Sequence, residues 1–255
     1  LSGKENNIAI FFGGNHTMEE AYLVKELAEV LNTELLGIFP FEDESLLSVK
    51  NDFSFNDIAV ADLIAGIGDI FSLCPTMAKP IIDARNKERG NRLLYIDTVK
   101  GRMGPFAESF IPAPGFMAYY LSVLLDYITG KKKKINLEKT GTGLPSQSIE
   151  TIASALQDSE NGWILFSNIY GHFRNPAVII DLLEEIAHET DNHFAVLPVG
   201  HNSLGVGRVL GKYGNSRIMK MLEDGAVEGL LTFGGVPDEL IPDFARIVKN
   251  LKTLV

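Results

Sequence analysis

The sequence contains one cysteine, Cys74, and five histidines. A lone cysteine excludes an internal disulfide, a CxxC redox pair and a cysteine-ligated iron–sulfur cluster or zinc ion. The histidines show no HExxH or comparable ligand spacing. We therefore expect no protein-ligated metal centre. Cys74 precedes a proline in an apolar stretch, a setting typical of a small buried side chain rather than a reactive thiol.

Long apolar runs and an excess of positive charge are also lacking. No run approaches the roughly 20 apolar residues that span a bilayer, and the amino-terminal segment lacks the profile of a signal peptide. The net charge of −10 disfavours a nucleic-acid partner, because phosphate binding needs a concentrated positive surface. We expect a cytoplasmic protein without direct membrane insertion.

Short apolar runs alternate with segments of helical periodicity along the whole chain. Strands separated by helices of this kind indicate parallel sheets that are covered on both faces. The predicted fold class is therefore α/β, with two Rossmann-like lobes and mainly parallel sheets. The predicted strands are 8–12, 35–39, 61–67, 93–96, 163–166, 194–197 and 226–233. The predicted helices are one capped by Thr17 and others near 75–89, 116–128, 148–157, 177–189 and 238–251.

The two halves of the chain form a pseudo-repeat of βαβ units. Segment 8–40 parallels 163–198, and 61–68 parallels 227–234. Between the halves, a stretch rich in glycine and lysine includes the run Lys131 to Lys134, which fits either an anionic partner or a solvated linker. We predict a first lobe over 1–135, a linker over 136–148 and a second lobe over 149–255.

Glycines and small polar residues follow the predicted strands. In open parallel sheets the ligand crevice lies beyond the carboxyl ends of the strands. Glycine there lets a phosphate or a ring approach the backbone, and the next helix offers free N–H groups. The same residue types also form turns in any such fold, so both interpretations stay open. The candidate binding residues are Gly13, Gly14, Asn15, Gly68, Asp69, Asp97, His201, Asn202, Ser203, Gly234 and Gly235.

Motifs for nucleotides and nucleophiles are missing. No GxGxxG follows the first strand, and the Walker A pattern is absent. Ser203 lies in His-Asn-Ser-Leu-Gly rather than in a GxSxG elbow. We therefore predict no catalytic residue and no nicotinamide or ATP site.

Several segments match, in chain order, short motifs of one known family. A loop like GxNP and a turn like DP follow the strands in 61–68 and 93–97. A segment like PGTDxAL lies at 110–115, a loop like NSxGA at 197–205, a second GxNP-like loop at 230–237, and a T-x-E-E helix start at 17–22. The sequence thus resembles the molybdopterin-oxidoreductase family, most closely the corresponding region of the G subunit of NADH-quinone oxidoreductase (complex I).

The resemblance implies two α/β lobes which, in catalytic members, hold a bis-pterin guanine dinucleotide between them. This sequence departs from the family at the loops that contact the cofactor. Asp69 and Val236 stand where asparagine-containing loops are expected, and Met117 stands at the acidic position that pairs with the guanine. Methionine cannot accept the guanine N–H groups, and leaving them unpaired costs roughly 1–3 kcal/mol. We expect no bound cofactor, with molybdopterin guanine dinucleotide as the alternative.

The resemblance further implies that the chain is part of a longer subunit in electron transport. We expect a structural scaffold without catalytic residues. Its partners would be other domains of the same subunit and other subunits of a respiratory complex peripheral to the inner membrane. The alternative is the pterin-dinucleotide-binding portion of a molybdenum or tungsten dehydrogenase of the formate or formylmethanofuran type. A third interpretation is a stand-alone nucleotide-binding module.

Overall fold

Apolar runs of the sequence form two sheets in the computed structural model, which describes residues 7–39, 49, 51–131, 142–168, 173, 175–198, 200, 202–211, 214–234 and 244–255. Every strand pair within these residues is parallel. The strands are β1 (Ile8–Gly13), β2 (Leu36–Phe39), β3 (Leu63–Ile67), β4 (Arg92–Ile96), β5 (Glu108–Phe110), β6 (Gly162–Ser167), β7 (His193–Leu197), β8 (Gly229–Phe233) and β9 (Thr253–Leu254).

Helices connect these strands, as parallel pairing requires. They are α1 (Met18–Leu31), α2 (Phe55–Ala59), α3 (Ile70–Leu73), α4 (Ala78–Lys87), α5 (Met117–Ile128), α6 (Gln147–Asp158), α7 (Pro176–Glu189), α8 (Ser203–Leu210), α9 (Asn215–Glu223) and α10 (Phe244–Ile247). Single 3₁₀ turns precede α4, precede β5 and follow α10. The predicted α/β fold class with parallel sheets is confirmed.

The chain divides into two compact units that do not follow its halves. Unit 1 combines Leu1–Ser48 with Pro198–Val255, and unit 2 is Val49–Leu197. The sheet of unit 1 has the order β2-β1-β8-β9, and the sheet of unit 2 has the order β5-β4-β3-β6-β7. This grouping differs from the predicted lobes over 1–135 and 149–255. Residues 136–141 of the predicted linker over 136–148 lie outside the described residues.

The physical reason for this difference is a long-range exchange of strands. β1 pairs with β8, and β3 pairs with β6, so each sheet takes a central pairing from the opposite half of the chain. Hydrophobic periodicity predicts where strands lie but not which distant strands pair. The pseudo-repeat itself is visible in the strand order, since β2-β1-β8 in one sheet matches β7-β6-β3 in the other.

Strands β1, β3, β4 and β6 are buried along most of their length. β3 and β6 are buried at every position, because helices cover both faces of each sheet. In unit 1, one apolar cluster includes Phe11, Leu230 and Ile218, and another on the opposite face includes Ile10, Ile38 and Val206.

In unit 2, an apolar cluster is built around Ile64, Tyr95 and Trp163. Among the described residues, no helix combines the length and apolarity that crossing a membrane requires.

Several predicted boundaries shift. β8 begins at Gly229 rather than near residue 226, and the helix predicted near 75–89 begins as a 3₁₀ turn before α4. The predicted closing helix over 238–251 is replaced, in its described part, by the short α10, a 3₁₀ turn and then β9. Its remainder, residues 238–243, lies outside the described residues. Strand β5 and helices α2, α3, α8 and α9 are additional to the predicted elements.

Candidate functional site

In unit 1, the carboxyl ends of β1 and β8 form a small notch, which we call the unit 1 notch, between Gly13 and Gly234. The ring of His16 fills it. A Cβ atom added to Gly13 would lie 2.9 Å from His16 Cδ2, and one added to Gly234 would lie 2.4 Å from His16 Nε2. The ring also stacks on Phe12, with 4.6 Å between ring centroids. The space that these glycines leave is therefore occupied by the protein's own side chain.

The start of α1 holds His16 in place. Thr17 caps the helix, as predicted, and the structure adds a capping box between the side chains of Thr17 and Glu20. His16 Nδ1 lies 3.2 Å from Glu20 Oε2, and Asn202 Nδ2 donates to the His16 carbonyl at 2.7 Å. The pKa of Glu20 is lowered, first by the hydrogen bond from the Thr17 backbone and then by His16.

Gly14 serves close packing between two loops of unit 1. A Cβ on Gly14 would lie 2.2 Å from Ser203 Oγ, and a Cβ on Gly200 would lie 2.3 Å from the same oxygen. Asn202 N donates to the Gly14 carbonyl at 2.8 Å, and Ser203 is fully buried. The loops after β1 and before α8 thus pack directly on each other, whereas Asn15 beside them is exposed.

Unit 2 has an equivalent arrangement, the unit 2 notch, at Gly68, which directly follows β3. Gly68 has φ +86°, and a Cβ there would lie 2.3 Å from the Ser167 carbonyl oxygen and 3.3 Å from Phe173 Cε2. Phe173 is buried and stacks on Phe166. Asn168 brackets its backbone, because Phe173 N donates to Asn168 Oδ1 at 2.7 Å and Asn168 Nδ2 donates to the Phe173 carbonyl at 3.3 Å.

Beside the unit 2 notch, two carboxylates surround a buried phenol. Tyr95 OH donates to Asp97 Oδ2 at 2.8 Å, and Asp97 Oδ1 accepts from Thr98 N at 2.6 Å. Burial first, and then Asp97, raise the pKa of Tyr95 far above its usual value. Asp69 accepts from the backbone N–H of Arg102. Tyr95 is thus a neutral donor fixed in place, and the carboxylates are satisfied by structural hydrogen bonds.

A cavity of about 660 Å³ remains in unit 2. Met117, the first residue of α5, and Asn175, which precedes α7, both line it. Asn175 and Phe173 were not among the predicted site residues, although an Asn-Pro pair directly before a predicted helix is a signal in the sequence itself. The full lining is Thr98, Val99, Pro114, Gly115, Met117, Ala118, Phe173, Asn175 and Ile179.

The predicted crevice residues fall into two sets, one in each unit. Residues Gly13, Gly14, Asn15, Asn202, Ser203 and Gly234 belong to unit 1, and residues Gly68, Asp69 and Asp97 belong to unit 2. His201 and Gly235 lie outside the described residues. Within each unit, the described members lie at or near the carboxyl ends of parallel strands, where such folds bind ligands.

No protein-family model matches this sequence, and no curated protein matches it. Among solved structures, it is similar to a chain of the formyltransferase/hydrolase complex from Methylorubrum extorquens in complex with methylofuran. The TM-score is 0.63 and the identity 14%, over 96% of this chain and 73% of that one. This likeness shows the fold.

Gly13, Gly68 and Gly234, three glycines of the predicted crevice, are covered by other groups of the protein. A pterin dinucleotide needs glycines that leave room for its phosphates and polar groups that pair with its guanine. Gly13 and Gly234 are covered by His16, Gly68 is covered by Ser167 and Phe173, and Met117 offers the guanine N–H groups no good acceptor. Gly13, Gly14, Gly68 and Gly234 therefore make close contacts inside the protein.

Metal ligation finds no support in the described part of the chain. No group of three or more His, Cys, Asp or Glu side chains is placed to hold an ion there. Cys74, expected to be buried, is half-buried, and its Sγ lies 3.3 Å from Thr76 Oγ1.

Proposed function

We propose that this chain is a molybdopterin-oxidoreductase-like scaffold, without its own pterin dinucleotide, in a multi-subunit enzyme of formyl metabolism related to the formylmethanofuran type. In this role the chain contributes a rigid α/β platform to the assembly, and other subunits carry the formyl chemistry. No residue of the chain is assigned a catalytic step.

The likeness in fold supports the formyl-metabolism part of the proposal. The chain aligns over 96% of its length with a component of a formyltransferase/hydrolase complex. The short motifs along the sequence are a separate observation, and a formylmethanofuran-type enzyme is one of the interpretations that they allow. Fold alone does not specify activity. The role in formyl metabolism is therefore tested by the chemistry of the subunits that bind this chain.

The absence of a pterin dinucleotide from the proposed function is supported by the side chains that fill the two notches. His16 lies against both Gly13 and Gly234, and Phe173 lies against Gly68. The backbones of both ring residues are held by asparagine amides, from Asn202 and Asn168 respectively. A glycine loop that awaits a phosphate would present open backbone N–H groups instead. We infer that these loops now serve packing.

The test is purification of the tagged chain from its natural host with its bound subunits. We expect partners that release formate from N-formyl methylofuran or transfer its formyl group, and molybdenum, tungsten and pterin far below one per chain. Metal is measured by mass spectrometry, and pterin by fluorescence after acid oxidation. Stoichiometric metal and pterin in the chain would overturn the cofactor-free part. An assembly that neither releases formate nor transfers a formyl group would overturn the proposed role in formyl metabolism.

The scaffold region of the G subunit of NADH-quinone oxidoreductase is the second candidate. The observation that favours it is the T-x-E-E helix start, since Thr17 and Glu20 form a capping box. For this candidate the purified assembly would oxidise NADH and contain iron–sulfur subunits. The same purification therefore separates the two candidates.

A further inference from the structure

The cavity of about 660 Å³ in unit 2 lies at the end of the sheet where parallel folds bind ligands. Its described walls come from the segments that follow β4, β5 and β6 and from helices α5 and α7. The chain adds β4 and β5 on one side of β3 and then β6 and β7 on the other. Doubly wound sheets bind ligands where the strand order reverses in this way. The cavity also has the volume of a small-molecule site, which is roughly 300–1,000 Å³.

The described lining of this cavity is mainly apolar and contains no charged side chain. A phosphate or a carboxylate therefore finds no side-chain cation among these residues, and burying a charge without a partner is costly. An uncharged and mainly apolar ligand is complementary to such a lining. The apolar members are Val99, Pro114, Met117, Ala118, Phe173 and Ile179.

Two buried side chains in these walls favour a flat ring. Phe173 is 4% exposed and Met117 is 3% exposed. Aromatic rings stack on other rings, and the thioether of methionine packs favourably against them. Asn168 holds the backbone of Phe173 through two hydrogen bonds, and Met117 begins α5. The walls are therefore in place before a ligand arrives, which lowers the free-energy cost of binding.

Asn175 supplies a polar group at the exposed rim of the cavity. Its backbone is left-handed, with φ 55° and ψ 57°, and its side chain does not cap α7, the helix that follows it. An amide N–H of this kind donates a hydrogen bond to a carbonyl oxygen. A ligand with a ring in the apolar interior and a carbonyl at the rim matches both parts of the cavity.

We propose that this cavity binds a small, uncharged, flat ring compound whose carbonyl oxygen accepts a hydrogen bond from the side-chain amide of Asn175. The inference goes beyond the proposed scaffold role and does not rest on it. The binding test needs the full chain and no other subunit, so its outcome is independent of the outcome for the proposed function.

The experiment follows binding at the methyl group of Met117 by NMR. The full chain has six methionines, whose methyl groups are labelled with carbon-13 and assigned by single substitutions to leucine. Met103 is buried in an apolar cluster of unit 2 and lies outside the described lining of the cavity, so its signal is the internal control. The probes are acetophenone, which has a ring and a carbonyl, and toluene, which has the ring without the carbonyl.

We expect acetophenone to shift the Met117 signal through its ring current, with a dissociation constant of about 1–10 mM. The Met103 signal should stay in place. Ala118→Phe fills the cavity and should weaken the binding by about ten-fold or more. Ser122→Phe adds the same ring at an exposed position of α5 outside the described lining and should leave the binding unchanged.

The variant Asn175→Gly tests the hydrogen bond to the carbonyl. It removes the amide and keeps the backbone, because glycine adopts a left-handed φ without strain. Loss of one hydrogen bond should weaken acetophenone binding about five-fold and leave toluene binding unchanged. A purely structural role of Asn175 would affect both probes alike.

An unmoved Met117 signal would overturn the site, and so would a shift that persists in Ala118→Phe. Equal weakening of both probes in Asn175→Gly would overturn the contact with the carbonyl. The Met103 signal also reports whether each variant is folded. If Ala118→Phe is unfolded, Ala118→Leu replaces it as the smaller cavity-filling change, and binding that persists in Ala118→Leu would overturn the site in the same way.

Discussion

The side-chain amide of Asn215 pairs with the backbone of Ile38 on both sides. Ile38 N donates to Asn215 Oδ1 at 2.8 Å, and Asn215 Nδ2 donates to the Ile38 carbonyl at 2.9 Å. Ile38 lies in β2, an edge strand of the unit 1 sheet. The amide thus takes the place of a neighbouring strand and satisfies an edge that would otherwise be open to another chain.

In unit 2, an asparagine side chain pairs in the same way with the edge strand β7. Val196 N donates to Asn51 Oδ1 at 2.9 Å, and Asn51 Nδ2 donates to the Val196 carbonyl at 2.7 Å. One edge strand in each sheet is therefore closed by an asparagine.

Replacing Asn215 with aspartate should destabilise the protein. The carboxylate keeps the acceptor but loses the donor, and it faces the carbonyl of Ile38 in a buried site. We expect the free energy of unfolding to fall by about 1–3 kcal/mol. Chemical denaturation measures it, and Asn86→Asp on the exposed part of α4 is the matched control. Equal stabilities for the two variants would contradict a structural role for the two hydrogen bonds between Asn215 and Ile38.

The unit 1 notch can be tested with a double-mutant cycle. Gly13 does not have a positive φ, so Gly13→Ala is unfavourable mainly because its Cβ meets His16 Cδ2 at 2.9 Å. We expect a loss of about 1–3 kcal/mol in the wild-type background. In the His16→Ala background, where the ring is gone, the same change should cost at least about 0.5 kcal/mol less. Strict additivity would mean that the ring does not fill the notch.

The alkaline limit of stability should depend on Tyr120. Burial raises the pKa of Tyr120 to about 12, whereas a tyrosine in the unfolded chain ionises near pH 10. A group with a raised folded-state pKa contributes stability that is present below its unfolded pKa and is lost as pH rises through the folded value. The free energy of unfolding should therefore fall between about pH 10 and 12.

Tyr120→Phe removes that titration. The variant loses the hydrogen bond from Tyr120 OH to Ser148 Oγ, at a cost of about 1 kcal/mol near neutral pH. Its stability should then decline less steeply than that of the wild type above pH 10. Tyr119→Phe, a change at the neighbouring exposed residue, should leave the slope unchanged. Denaturation curves from pH 8 to 12 measure both, and parallel slopes for Tyr120→Phe and wild type would rule out this role.

Fluorescence reports on unit 2 because Trp163 is the single tryptophan. It is 6% exposed and stacks on His193, with 4.6 Å between ring centroids. His193→Ala should uncover one face of the indole and shift its emission to longer wavelength. His188→Ala, at a histidine whose side chain is 85% exposed, should not. An unshifted spectrum for His193→Ala would contradict the stacked geometry.

Much of the fold could be predicted from local signals. The apolar runs that form β1 and β6 are short, continuous and bounded by turn residues. These features are enough to predict a buried strand. The capping box at Thr17 and Glu20 is also visible in the sequence. Strand β5 escaped prediction because it has only three residues, two of them exposed, and its stability comes from pairing with β4.

The candidate site was harder to predict for a different reason. Glycines such as Gly13 and Gly68 could be located, but the sequence does not reveal what fills the space above them. That depends on rings and amides from other loops, such as Phe173 held by Asn168. The local sequence pattern predicts where another group can approach the backbone closely. Tertiary packing decides whether that group is a ligand or a side chain of the protein.

The interleaved connectivity has a consequence for biosynthesis. Val49–Leu197 is one uninterrupted stretch, so the ribosome delivers that unit whole and it can fold while translation continues. Ile8 pairs with Gly229, and β1 must therefore wait for the last part of the chain to emerge before its second neighbour arrives. A nascent chain stalled before β8 should show a protease-resistant inserted unit and a cleavable amino-terminal segment.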